Sequence, residues 1–91
     1  MIGMIVVTVH QLGTGGASPR FTHRGTLATR TTDRVRAIDS AIRYTFGRGA
    51  DFDHQNAREA HPGLLHGTIL TDRRPDGIPV VLRVGSYADE D

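Results

Sequence analysis

Eleven arginines and five histidines, with no lysine and no cysteine, carry most of the chemistry available to this 91-residue chain. The histidines are His10, His23, His54, His61 and His66. Asp51, Asp53 and His54, followed by His61 and His66, could offer several nitrogen and oxygen ligands, but their spacing follows no metal-binding pattern. Pro62 also ends the element that carries His61, so the three rings need not converge. Loop and surface histidines are therefore expected, with neither a metal nor a cofactor. The missing cysteines exclude disulfides, thiolate metal sites and a thiol nucleophile. Ser18, Ser40 and Ser86 stand in no nucleophile-elbow context. One catalytic chemistry survives: an imidazole that takes a 2′-hydroxyl proton beside an arginine that steadies the phosphate, as a metal-independent ribonuclease would use. His66, at the start of a predicted strand and near Arg73 or Arg83, belongs to the pair that would serve it. Small size permits such an enzyme and nothing requires it, so no catalytic residue is assigned.

The arginines are unevenly placed. Residues 1–19 carry no charged side chain, and residues 20–48 hold Arg20, Arg24, Arg30, Arg34, Arg36, Arg43 and Arg48 against Asp33 and Asp39. Residues 49–91 hold four arginines against eight acids. A net charge of +1 therefore conceals a basic middle and an acidic end. Arginine without lysine is what a GC-rich genome produces, but codon bias does not order charges along a chain. If Arg20, Arg24, Arg30, Arg36, Arg43 and Arg48 share a face, they would neutralise several phosphates and make nucleic-acid affinity fall steeply with salt. Against this, three Phe, two Tyr and no Trp are too few and too scattered for stacking on a single strand. Phe21 and Phe46 fall at core positions. The glycines from Gly13 to Gly16 follow a predicted strand, but a phosphate cradle needs a helix directly behind it, and Pro19 and a strand-like run come instead.

Elements must bring these side chains together. Ile2 to Leu12 is rich in Val and Ile without helical spacing, which predicts a strand. Its first half is apolar on both sides, as in a strand buried on both faces or against a partner. From Arg20 to Thr29 the chain alternates Phe21, His23, Gly25 and Leu27 against Thr22, Arg24, Thr26 and Ala28, a second and half-exposed strand. Val35, Ile38, Ile42 and Phe46 lie on one helical stripe. Thr31 or Thr32 is suited to cap that helix, Asp33 to its first turn and Gly47 to its C-terminal end. Asp39 is spaced for ion pairs with Arg36 and Arg43, and Tyr44 falls opposite the stripe. Asp53 could cap a short helix over His54–Ala60. Pro75-Asp76-Gly77 predicts the turn of an antiparallel hairpin between Leu64–Asp72 and Ile78–Ser86.

Residues 1–91 thus read as a single small α+β domain, a two-layer sandwich of ββαββ order: hairpin, helix, crossover, hairpin. Residues 86–91 form an acidic tail. This element order is compatible with a β-grasp, ubiquitin-like topology. The apolar run Met1–Val9 lacks a basic leader and is far shorter than the roughly 20 residues of a membrane span, so a cytoplasmic protein without a membrane partner is expected. A core so poor in aromatics supplies only about 3–5 kcal/mol at this length. Ile78–Val84 is also more apolar than one buried face requires, with Pro79 suited to a sheet edge. Together these features favour a non-catalytic interaction or assembly module that binds a second copy or another protein. Tyr44, Arg36 and Arg43 on the outer helix surface, with Val81 and Arg83 on the last strand, are its expected contacts. Arginine-mediated nucleic-acid binding is the alternative, and the histidine-dependent ribonuclease the third.

Overall fold

The computed structural model describes residues 3–13 and 20–88. Beyond Gly13, the glycine run weighed as a phosphate cradle lies outside those residues, as does the acidic end Asp89–Asp91. Strands β1 (Gly3–Gly13) and β2 (Arg20–Thr29) form an antiparallel hairpin. Helix α1 (Arg34–Phe46) crosses one face of the sheet. The chain then adds β3 (Asp51–Phe52), β4 (Arg58–His61), β5 (Leu64–Thr71) and β6 (Arg74–Ala88). The result is an α+β domain with one helix and a six-stranded antiparallel sheet, ordered β2-β1-β6-β5-β3, with β4 also against β5.

The stretch expected as a short helix is instead an edge strand in two pieces. Asp51 and Phe52 pair with Leu70 and Ile69, and Arg58 and Glu59 pair with His66 and Leu65. Between them, the Asp53 N–H still donates to the Thr68 carbonyl at 3.0 Å, and residues 54–57 lie outside the strand. Ala57 and Ala60 offered a helix too little apolar surface to compete with backbone pairing along β5. This extra extended pass reverses the direction of every later strand. Consequently β6 runs antiparallel to β1, whereas a β-grasp sets its first and last strands parallel, and that topology does not hold. Nor does β6 lie at an edge: it sits between β1 and β5, which is why it is so apolar. Pro79 is tolerated because the β1 ladder ends at the Gln11–Val80 pair, one residue away.

Asp33 caps the helix itself. Its Oδ1 accepts from the Val35 and Arg36 N–H groups at 3.1 and 3.3 Å, while Thr31 Oγ1 accepts from the Asp33 N–H. Gly47 closes the helix with φ 102° and ψ 175°, a positive φ without the left-handed helical ψ. The buried helix face is Ala37, Ile38, Ala41 and Ile42, rotated from the expected stripe, so Val35 is exposed and Phe46 only half-buried. The two alanines let the backbone approach the sheet, and the two isoleucines fill the space. Beneath them lie Ile5, Val7 and Val9 of β1, Leu65 and Ile69 of β5, and Val80 and Leu82 of β6, with Phe52 at the edge. Asp39 forms no pair along the helix among the described residues; it meets His54 at 2.7 Å, and Arg43 approaches Asp51 at 4.0 Å.

The β5–β6 hairpin forms as expected, but it turns at Asp72-Arg73, with Thr71 opposite Arg74. Pro75-Asp76-Gly77 is absorbed as an irregularity at the start of β6, where Gly77 takes φ 87°. A Cβ there would run into Thr68 Cγ2, so the position requires glycine on both conformational and steric grounds.

Candidate functional site on the open face of the sheet

The helix covers one face of the sheet, and the other has no covering layer among the described residues. Directly opposed residues of an antiparallel pair point to the same side, so the register assigns that face. Met4, Val6, Thr8 and His10 of β1 alternate with the core positions Ile5, Val7 and Val9. From β6 come Val81, Arg83 and Tyr87, and from β5 Leu64, His66 and Thr68.

Strand β2 changes sides along its length. Gly25 pairs with Val9 and His23 pairs with His10, which leaves Arg24 without a partner on β1. This one-residue bulge reverses the alternation. Below it, Gly25 and Leu27 face the helix layer; above it, His23 and Phe21 turn to the open face. Phe21 is therefore 50% exposed rather than part of the core. Arg24 is carried to the helix side, where its guanidinium lies 5.7 Å from the Phe46 ring centroid.

The consequence is a row of side chains across five strands. His23 pairs with His10, His10 with Val81, Val81 with His66, and His66 with Arg58. At about 4.8 Å per strand the row is about 19 Å long. The His10 and His23 rings meet edge to face with centroids 5.5 Å apart. His23 Nε2 is 2.9 Å from Thr26 Oγ1, whose hydroxyl donates to Thr8 Oγ1 at 3.4 Å, so that end of the row is held by hydrogen bonds. A groove of about 300 Å³ runs beside it, lined by His10, Phe21, Leu64, His66, Val81 and Arg83. Val81 is only 8% exposed although no helix covers it; its neighbours on the face bury it. Among the described residues, no carboxylate stands on this face of β1, β2 or β5, or of β6 from Pro79 to Tyr87; on β3, register places Asp51 there, opposite Leu70.

The expected contact residues divide between two opposite surfaces. Arg36, Arg43 and Tyr44 lie on the outer side of the helix, with Tyr44 67% exposed, whereas Val81 and Arg83 lie on the open face. The arginines Arg20, Arg24, Arg30, Arg36, Arg43 and Arg48 share no face either: they run along β2 and round the helix to its C-terminal end. Of the pair considered for hydrolysis, His66 and Arg83 line one groove, while Arg73 sits in the β5–β6 turn at the other end of the hairpin. His54 is engaged with Asp39 and packs edge-on against Phe52, and His61 lies exposed on β4. Register sets His61 opposite Leu64, on the same face as His66, whereas His54 does not join them.

His10, His23 and Phe21 are the site residues that sequence patterning missed. For His10 a signal existed, since its even position in β1 opposes the Ile5-Val7-Val9 face. Phe21 and His23 had none, because the Arg24 bulge is fixed by pairing with a distant strand.

Among the described residues no helix is long and apolar enough to cross a membrane. No family model, curated protein or solved structure matches this chain.

Proposed function

We propose that this protein is a small non-catalytic binding module that holds single-stranded nucleic acid on the open face of its sheet. The observation that carries this is the His23–His10–Val81–His66–Arg58 row, with Arg83 and Phe21 beside it and no carboxylate among them. Arginine forks recognise phosphates. Exposed rings on a sheet, here Phe21 and Tyr87 at 50% and 61% exposure, give bases a surface on which to stack, as in several single-strand-binding modules. A sheet this broad does not enter a duplex groove, which admits at most a two-stranded ribbon. As part of this proposal the chain works in the cytoplasm, alongside its ligand.

Self-association through the same face is the second reading, supported by half-buried Met4, Val6 and Leu64 around Val81. A two-fold interface must be self-complementary, and this face carries Arg58 and Arg83 on β4 and β6 while its acid, Asp51, stands apart on the short β3 opposite Leu70. The outer helix surface is basic as well, so stacking it on the open face of a second copy brings like charges together.

The test is fluorescence anisotropy with labelled single strands of about ten nucleotides, within the roughly 4–16 that a sheet-based site of the OB type holds. Affinity is expected to fall with salt, and Arg83→Ala to lower the magnitude of the log–log slope by about 0.7, one phosphate's share on a single strand. Phe21→Ala should weaken binding at every salt concentration. Affinity that is independent of salt, or unchanged in both variants, would sink the proposal. Integrity of the strand after incubation separates binding from the histidine-dependent hydrolysis that His66 and Arg83 could support; cleavage abolished by His66→Ala would make the groove an active site.

A further inference from the structure

A second cavity, of about 390 Å³, opens between the C-terminal end of α1 and the β5–β6 turn. Its lining residues include Phe46, Ala50 and Ile78, which are apolar, and Arg48, Arg73 and Arg74, which come from its two opposite walls. Arg24 reaches the same corner, over the Phe46 ring. One acid, Asp72, lines the cavity, and among the described residues none of these four arginines has a carboxylate within 4.0 Å. The cavity lies on the helix side of the sheet, away from the open-face groove, and shares no lining residue with it.

Repulsion among several guanidinium groups is tolerated most readily when an anion sits between them, and two walls of forked donors suit the oxygens of a phosphate better than a single carboxylate. The apolar side chains add what free phosphate does not need: a surface for a ring. The volume falls within the range of small-ligand sites, roughly 300–1,000 Å³. We infer that this cavity binds a phosphate monoester attached to a ring system, the chemistry of a mononucleotide or of the phosphorylated end of a nucleic-acid strand. The inference does not depend on the open-face proposal.

Calorimetry on the full chain with adenosine 5′-monophosphate, adenosine and inorganic phosphate tests it. The monophosphate is expected to bind, with adenosine and phosphate each at least about tenfold weaker, since each offers half of the contact. Replacing both Arg73→Ala and Arg74→Ala should weaken the monophosphate at least about tenfold, and Arg36→Ala on the outer helix surface should leave it unchanged. If the double variant does not fold, Arg48→Ala on the facing wall carries the same expectation. A 5′-phosphorylated dinucleotide that binds more tightly than the monophosphate identifies a strand end as the source; the reverse order identifies the free nucleotide. No heat with the monophosphate, equal affinity for inorganic phosphate or for adenosine, or loss of binding in Arg36→Ala would each overturn the inference.

Discussion

Arg24 stands between Gly25, which faces Val9, and His23, which faces His10, with no partner of its own on β1. Side chains in a strand alternate with period two, so a single unpaired residue exchanges the two faces of everything beyond it. Were Arg24 itself paired with His10 instead of bulged, Phe21 and His23 would point toward the helix layer and the open face would lose two of its rings. Deletion of Arg24 joins His23 directly to Gly25 and is therefore expected to keep the contact between the His10 and His23 rings, seen in their mutual NMR contacts, and to weaken single-strand binding no more than Arg24→Ala does. Deletion of the paired Thr22 instead turns Phe21 toward the helix layer and weakens binding. The substitution keeps the residue count and removes only the cation–π contact with Phe46, worth about 0.5–1 kcal/mol at an exposed site. Loss of the ring contacts on deletion of Arg24, or unchanged binding on deletion of Thr22, would show that the bulge does not set the face. The five histidines were visible in the sequence, but which of them share a surface was not, because a bulge is a property of a strand pair rather than of one strand.

At the scale of elements, the helix start, β4 and the β4–β5 turn are joined through Glu59. The Gly63 N–H donates to Glu59 Oε2 at 2.9 Å, and Arg34 Nη2 lies 3.0 Å from Oε1. The Gly63 hydrogen bond, with the Arg34 guanidinium beside it, holds the Glu59 carboxyl below its ordinary value. A depressed carboxyl stabilises the folded state above its unfolded pKa, and that contribution is lost as pH falls through the folded value. Thermal melts are thus expected to show wild type losing more stability than Glu59→Gln as pH drops below the ordinary carboxylate range, with the two curves parallel above it. The pair is solvent-exposed, so the difference is small and shrinks in high salt. Parallel curves through the acid range would mean that Glu59 does not clamp these elements. Much at this scale was legible: β2 spans Arg20–Thr29 as its alternation indicated, the helix lies where periodicity put it, and β5 and β6 form the expected hairpin, though it turns at Asp72-Arg73 rather than at Pro75-Asp76-Gly77. The edge strand over residues 51–61 was not, since its side chains carry no strong period and it is extended only because β5 supplies backbone partners.

For the whole molecule, the arrangement is asymmetric: one side of the sheet is sealed by α1, and the other presents basic and aromatic groups around half-buried aliphatics. Both broad surfaces carry arginine, which opposes stacking of copies at low salt, where such repulsion is least screened. Light scattering in low salt without nucleic acid is expected to give a monomer. Val81→Asp, which puts a carboxylate in the middle of the histidine row, should abolish single-strand binding without changing the mass. A dimer that Val81→Asp reduces to monomers would instead make the open face an interface between copies, and self-association the function of the module.

By itself the sequence determined what is local: strands from alternation, a helix from its periodicity, a hairpin though not its turn position, and the exclusion of thiol and lysine chemistry. Those properties depend on neighbours within a few residues, and short-range sterics and hydrogen bonding are enough to set them. Only the tertiary structure decided the strand order, the direction of β6, the unpaired Arg24 and hence the contents of the open face. Each depends on which distant backbone groups pair. A shift of one residue in that pairing leaves the composition of every segment unchanged while exchanging what is buried for what is presented to a ligand.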